Sequence, residues 1–560
     1  MKKAIAALFL LLFSFMLISN YGGATIRSTV GDTLSVEKVL IDADGYTLSG
    51  VLYVPSDVQP DDPRPAVVCA HGLTNAKETM SGFALEIARR GMVALSLDLA
   101  GHGQSGGKLG GGDPSLGVSP ALAYLKSLDY VDPERLGLVG HSLGAGAARA
   151  ASDAQGISAV VLIAGGVDVE SGGTGYPPMS ATHPPNMLVI IGQLDVLFDV
   201  EKIKIDLEDA FNTEVPVVPE MYYGSAADGT ARQLLLPSTI HLLEPVEPLI
   251  IEKAASWMRQ HLQAEGSTPP DPIIVNNILV TANMVALVAL IWINFPVAAL
   301  AQGFLRDKGE KPVSGVLPDL WAFLVWGGLG LLLFLPLSGL GNLIPFPPLR
   351  IGSSMAWWLL LSGVGGLIIL YIVQKRAPHL ALDLIQIIKK SFKLKDVLTA
   401  FGMFLLLYTI TYIGESYLGV TLTFIIPLFR TLTFRRLSVF PAFIPFFGVF
   451  FIAEGLYFHQ LRIQKADEPG FKSLIRAIAL KVAPYFWLII VQYGVMIMFE
   501  RRVFTGMIGF LIEFLWAIIP IFMITIAHSW WFHRITRRIG MGVVFNTLLL
   551  SWISAGLFPF

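Results

Sequence analysis

Three side chains in the first half of this sequence are of the types needed to move an acyl group. They are Ser142 in Gly140-His141-Ser142-Leu143-Gly144, Asp195 in Gly192-Gln193-Leu194-Asp195, and His241 in Ser238-Thr239-Ile240-His241. A serine hydroxyl attacks poorly at neutral pH, so it needs a histidine to take its proton and a carboxylate to hold that histidine in the right tautomer. A metal-dependent alternative finds no support in the pattern: no His-x-x-x-His with an acid and no paired cysteines occur, and Cys69 stands alone in an apolar run.

Positioning these groups falls to a run of alternating elements. The apolar stretch Leu136 to Val139 reads as a buried strand and the alanine-rich stretch Leu143 to Ala154 as the helix after it, so Ser142 sits at a sharp strand-to-helix turn, a nucleophile elbow. Gly140 and Gly144 suit that turn because a Cβ at either place would meet neighbouring backbone. Val36–Asp42 and Tyr46–Val54 alternate apolar and polar residues around Ala43-Asp44-Gly45, which predicts a hairpin. Further strands are expected at Ala66–Ala70, Met92–Leu97, Ala159–Ala164, Met187–Ile191 and Gln233–Leu236. Helices are expected at Thr79–Arg90, Pro114–Leu128 and Val246–Leu262. Strands alternating with helices imply a mostly parallel sheet covered on both faces, with functional loops at the strands' C-terminal ends.

With these elements in order, residues about 36 to 262 resemble an α/β-hydrolase, in the style of the dienelactone-hydrolase-like and acyl-peptidase-like serine esterases. The resemblance covers just under half the chain. It rests on His71-Gly72, the run Asp98 to Ser105, Gly140-His141-Ser142-Leu143-Gly144, Gly192 to Asp195, and His241. It implies the chain order nucleophile, acid, histidine, which Ser142, Asp195 and His241 satisfy. Dienelactone hydrolases proper carry a cysteine at the elbow; serine here points toward ester, thioester or amide substrates. The implied oxyanion hole is the backbone N–H of Leu143 together with that of Leu73.

Competing assignments are few. Asp199 lies four residues beyond Asp195 and reads as a helix N-cap, while His71, His102 and His141 precede or adjoin the nucleophile, His183 comes before the acid strand and His261 lies on a terminal helix. Asp98 is expected to bond loop amides among Gly101, Gly103 and Ser105. The run Gly106 to Gly112 lacks the Lys-Ser/Thr ending of a phosphate loop. No cofactor, metal or nucleic acid is called for. Between Ala164 and Met187 the chain is too short for a large cap, which predicts an open site.

Composition divides the chain in two. With 560 residues, 54% of them hydrophobic and 15% charged, it is too apolar for an ordinary soluble protein. Residues 25–272 carry about twice as many acids as bases and residues 273–560 about twice as many bases as acids. Met1-Lys2-Lys3 followed by Ala4–Ser19 has the form of a signal peptide or N-terminal anchor over residues 1–24. A hydrolase-like domain over 25–265, a linker at 266–273 and a membrane domain over 274–560 are expected.

About eight transmembrane helices are read there, near 274–301, 316–338, 352–374, 396–418, 437–459, 478–499, 503–527 and 541–559. Arg306, Lys308 and Lys311, the run Lys375 to Lys395, Arg462 to Arg476, and Arg534, Arg537 and Arg538 fall in alternate loops. Those loops are expected to be cytoplasmic, which places the hydrolase-like domain outside, at the cell membrane. Arg430, Arg435 and Arg436 would flank a span at lipid phosphate, and the intramembrane Glu513, Glu454 and Glu415 would each face a partner or cavity. The expected partners are an acyl ester or lipid-like substrate and the bilayer. Three functions fit: a membrane-bound extracytoplasmic serine hydrolase, an acyltransferase to a membrane acceptor, or a transport or sensing protein with a hydrolase-like binding domain.

Overall fold

A computed structural model of the chain describes residues 33–167, 176–264, 275–307, 315–337, 340–380, 383–417, 428–463 and 470–560, with part of 3–14. The cleavage region Gly22 to Ala24, the linker and part of the short cap segment lie outside the described residues. The chain divides into two compact units, one holding Asn20–Met284 and the other Val285–Leu422 with Phe429–Phe558.

The first unit is built on a nine-stranded sheet. Its strands are β1 (Leu34–Asp42), β2 (Thr47–Pro55), β3 (Arg64–Ala70), β4 (Val93–Leu97), β5 (Val131–His141), β6 (Ile157–Ile163), β7 (Met187–Ile190), β8 (Tyr222–Tyr223) and β9 (Arg232–Leu235). They lie in the order β1-β2-β4-β3-β5-β6-β7-β9-β8. The expected hairpin is present as β1 and β2, paired from Leu34 with Pro55 to Asp42 with Thr47. From β4 across to β9 every neighbouring pair is parallel.

Parallel strands covered on both sides should be apolar throughout, and β4 is buried at all five positions. The twofold alternation of side chains sorts these residues into two cores. Val68, Leu95, Leu138, Leu162 and Val189 pack with the helices Val118–Lys126 and Leu143–Ala150. Their sequence neighbours Val67, Ala94, Val139, Val161 and Leu188 pack on the other face with the helices Ser81–Ala88 and Pro248–His261. Cys69 is buried in the second core, where loss of hydration pushes its thiol pKa up. The edge strand β8 and the short helix Glu208–Phe211 were not anticipated from the sequence, whereas Val200–Asp206 is the helix that Asp199 was expected to cap. They fill the connection between β7 and β9, where hydrophobic periodicity is too short to read.

The second unit is helical, and seven of its described helices are long and apolar enough to cross a membrane. The chain is a multi-pass membrane protein. The helix expected over 316–338 is present as one helical run over 319–337, in which a π-helical turn Leu324–Leu329 joins Asp319–Phe323 to Gly330–Leu337. Close packing accompanies the π-helical turn. A Cβ on Gly327 would lie 2.7 Å from Pro484 and one on Gly330 2.4 Å from the Tyr485 hydroxyl, so this segment presents bare backbone to its neighbour.

All four basic loops meet at one end of this unit. Asp307 is bonded by Lys393 and Lys395 and accepts from Arg538 at 3.1 Å; Arg538 also bonds Asp396 at 2.7 Å. Arg462 and Arg476 each approach Asp319 at 3.5 Å, and Gly470 lies against the Arg534 guanidinium.

Several polar groups within the unit are paired, as an apolar medium favours. Lys481 bonds Glu454, and Tyr493 donates to Glu513. Glu415 accepts from the Thr431 amide at 2.8 Å, and Asn546 donates to Thr525 O and Ser529 Oγ, both at 2.8 Å. Arg436 departs from the lipid contact expected of it. It is buried, and its guanidinium donates to the carbonyls of Ala555 (2.8 Å) and Phe558 (2.9 Å), where the end of a helix leaves acceptors unpaired.

Candidate active site

The elbow is where the local sequence is most constrained. Ser142 takes φ 53° and ψ −115°, outside the ordinary regions for a residue with a Cβ, between the end of β5 and the helix Leu143–Ala150. The flanking glycines make that turn fit: a Cβ on Gly140 would lie 2.2 Å from the Gly144 carbonyl oxygen, and one on Gly144 2.2 Å from the Ala70 carbonyl oxygen. No side chain larger than hydrogen has room there, and Ser142 Oγ is carried clear of the sheet.

The three side chains singled out from the sequence meet at this point. Ser142 Oγ lies 3.0 Å from His241 Nε2, and His241 Nδ1 lies 2.7 Å from Asp195 Oδ2. Each is set on a loop at the C-terminal end of a strand: Ser142 after β5, Asp195 after β7 and His241 after β9. Asp195 is 1% exposed, and its other oxygen, Oδ1, accepts from the Leu197 amide at 2.8 Å, so both carboxylate oxygens are held. Asp199 is elsewhere occupied, accepting from the Lys202 amide as N-cap of Val200–Asp206.

Leu143 and Leu73, the expected oxyanion donors, flank the same spot. Leu143 follows the serine directly, and Gly72 approaches so closely that a Cβ on it would be 3.3 Å from Ser142 Cβ. Among the described residues neither amide donates to a protein acceptor.

The remaining histidines serve the scaffold. His71 Nε2 accepts from the Leu99 amide at 3.1 Å, and His102 Nδ1 lies 3.1 Å from the Ala100 carbonyl oxygen. His183 Nε2 lies 3.1 Å from Ser152 Oγ. His261 packs on Trp257, and burial lowers its pKa to about 4.

Two features escaped the reading of the sequence. The first is the partner of Asp98. Its carboxylate takes the Gln104 and Lys77 amides, both at 2.8 Å, and above all the Lys77 ammonium at 2.6 Å; both side chains are buried. The expected link to Ser105 is there in another form, its hydroxyl donating to the Asp98 carbonyl at 2.6 Å. Lys77 lies 21 positions earlier, in a helical turn with no apolar periodicity to mark it as inward-facing. Lys77→Met is expected to lower the stability of this unit by about 3–5 kcal/mol, because it strands a buried carboxylate without its counter-charge. The midpoint of its denaturant unfolding checks this, and an unchanged midpoint would contradict it.

The second is Glu244, fully buried three residues beyond His241. Its Oε2 lies 3.1 Å from His141 Nε2 and 3.6 Å from His241 Nδ1, and its Oε1 accepts from the Gly192 amide at 2.8 Å. The spacing His241-Leu242-Leu243-Glu244 was the available signal. His141, Glu244 and His241 are also close enough to share a metal ion. However, their facing atoms are already engaged with one another and with Asp195, so the set is a hydrogen-bond network rather than an open ligand cage.

Sequence comparison agrees with this topology. A family model described as "Serine aminopeptidase, S33" matches residues 61–204, which run from the strand before the His71-Gly72 turn to just past Asp195. The N-terminal domain has an α/β-hydrolase-like fold, built on a mostly parallel sheet. The chain is 32% identical over 105 residues to the uncharacterized protein YcjY of Escherichia coli (strain K12), a match covering 18% of this chain and 34% of that protein. The chain thus spans about a third of the curated relative it matches.

Among solved structures, the Pyrococcus furiosus esterase Pf2001 is similar at 17% identity, covering 42% of this chain and 95% of its own, with a TM-score of 0.31. An esterase from Pyrobaculum calidifontis is 15% identical, covering 45% and 91%, with a TM-score of 0.31. A dienelactone hydrolase from Anabaena variabilis is 18% identical, covering 41% and 98%, with a TM-score of 0.29.

Proposed function

We propose that this protein is a membrane-bound serine hydrolase that cleaves an ester, thioester or amide acyl bond, lipid-like substrates included, through an acyl-enzyme. The observation that carries the reading is the unbroken line from Ser142 Oγ to His241 Nε2 (3.0 Å) and from His241 Nδ1 to Asp195 Oδ2 (2.7 Å). In the first half-reaction Ser142 Oγ bonds to the substrate's acyl carbon as its proton passes to His241 Nε2. Asp195 stabilises the imidazolium, and the leaving group departs with that proton. In the second, water attacks the acyl-enzyme, gives its proton to His241 and releases the acid while Ser142 regains its hydrogen. The N–H groups of Leu143 and Leu73 receive the charge that develops on the acyl oxygen in both steps.

The test is a fluorophosphonate probe applied to membranes containing the full-length protein. A covalent adduct on the peptide carrying Ser142 is expected. An adduct on any other residue, or none, would refute the reading.

The same proposal takes residues 1–24 as signal or anchor, 25–265 as the hydrolase domain, and 274–560 as the membrane domain, with the hydrolase domain outside the cytoplasm. Supporting the orientation are the clustered basic loops, since loops rich in Lys and Arg stay on the cytoplasmic side. Single cysteines at the exposed positions Ser56 and Lys390, in a Cys69→Ala background, provide the check. A membrane-impermeant thiol reagent is expected to label Ser56→Cys in intact cells and to reach Lys390→Cys only after lysis; the reverse pattern would invert the topology.

A further inference from the structure

The catalytic machinery just proposed uses one carboxylate, yet the site contains two. Glu244 is fully buried, and its contacts reach all three loops that carry the reacting groups. Through Oε1 it takes the Gly192 amide at 2.8 Å, at the start of the turn that ends in Asp195. Through Oε2 it faces His141, the residue before Ser142, at 3.1 Å, and the imidazole of His241 at 3.6 Å.

His141 completes the arrangement. Burial, with the neighbouring His241 as a second cause, lowers its pKa well below the usual histidine value. Its Nε2 lies 3.1 Å from a carboxylate oxygen, which accepts, so Nε2 carries a proton and gives it to Glu244. Its Nδ1 is turned toward Gly72, where a Cβ would come within 2.9 Å of it. One buried carboxylate therefore joins the acid turn, the elbow and the histidine loop.

We propose that Glu244 is a second acid of this site, a positioning residue that braces the three catalytic loops and adds negative charge beside the His241 imidazolium. The inference rests on the serine-hydrolase reading above. At 3.6 Å the contact with His241 is too long for a hydrogen bond and well within range for a charge interaction. Asp195 holds the tautomer by direct bonding at 2.7 Å. Glu244 acts when the imidazole becomes positive. Other charged or titratable groups around the cluster are His71, which bears on His141, and the helical turn Lys77–Met80, which packs against Glu244–Val246 and carries Lys77, paired with Asp98, and Glu78.

A bracing role alone and a bracing role with charge differ in one observable. The proposed general base must be neutral to act, so kcat/KM rises with pH through the His241 pKa. A nearby negative charge raises that pKa, and removing it lowers it. In the full-length protein in detergent, with p-nitrophenyl butyrate as substrate, Glu244→Gln is expected to move the acid limb of the kcat/KM profile down by about one pH unit. Activity at the optimum should fall by about tenfold or more. Glu244→Asp keeps the charge but withdraws it, and should move the limb only part-way.

A Glu244→Gln protein whose acid limb stays at the wild-type position overturns the charge role. If that variant does not accumulate, Glu244→Asp carries the test, and an unmoved limb with wild-type activity overturns the proposal. Fluorophosphonate labelling of Ser142 in the wild-type protein runs alongside. Loss of that labelling would count against the hydrolase reading itself, whereas intact labelling with an unmoved limb would count against Glu244 alone.

Discussion

Ser142→Ala is expected to lower kcat/KM toward a short-chain aryl ester by about five to six orders of magnitude, the scale found when the nucleophile of a serine hydrolase is removed. The geometry explains why nothing nearby can substitute. His241 Nε2 lies 3.0 Å from Ser142 Oγ, and the elbow is closed on both sides by glycines, so no second hydroxyl reaches the same place. His241→Ala should be nearly as damaging, since without it the serine proton has no acceptor. The two act as a unit, so the double variant should be little worse than either single one. Phosphonate labelling and steady-state turnover of the full-length protein provide the measurement, and labelling of Ser142→Ala at the wild-type rate would remove Ser142 from the mechanism.

How much of this was legible in the sequence depended on whether a residue's role is local. The elbow could be read because its glycines and serine are adjacent and the strand and helix around it have clear periods. The parallel order from β4 to β9 followed from strands alternating with helices. His241 and Asp195 could be named because each follows an apolar run that ends at a loop, and the structure places both within hydrogen-bonding reach of the expected neighbour.

Glu244 and Lys77 were not legible, for a shared reason. A charged residue in a loop reads as solvated unless its partner is known, and these partners lie 103 and 21 positions away in the chain, at His141 and Asp98. The π-helical turn within Asp319–Leu337 escaped for a different reason. Hydropathy reports that such a stretch suits a bilayer, but does not register the glycines at which Pro484 and Tyr485 lie against its backbone.

The choice of acid gives the second large effect, and the hydrogen bonds around Asp195 determine its size. Asp195→Asn keeps the shape of the side chain and exchanges one oxygen for an amide nitrogen. The Leu197 amide donates to Oδ1 at 2.8 Å, so the remaining oxygen must stay there and the new NH2 group must face His241 Nδ1. A donor facing Nδ1 forces that nitrogen to accept and moves the imidazole proton to Nε2, where it points at Ser142 Oγ and prevents proton abstraction. The opposite orientation would leave the Leu197 amide facing a donor in a buried site, at a cost of about 1–3 kcal/mol. Asp195→Asn is therefore expected to reduce kcat/KM by about four orders of magnitude, the scale of a wrong tautomer, with little change in unfolding midpoint. Asp199→Asn should leave activity nearly intact, because asparagine caps a helix as well as aspartate does. A larger activity loss from Asp199→Asn than from Asp195→Asn would transfer the acid role to Asp199.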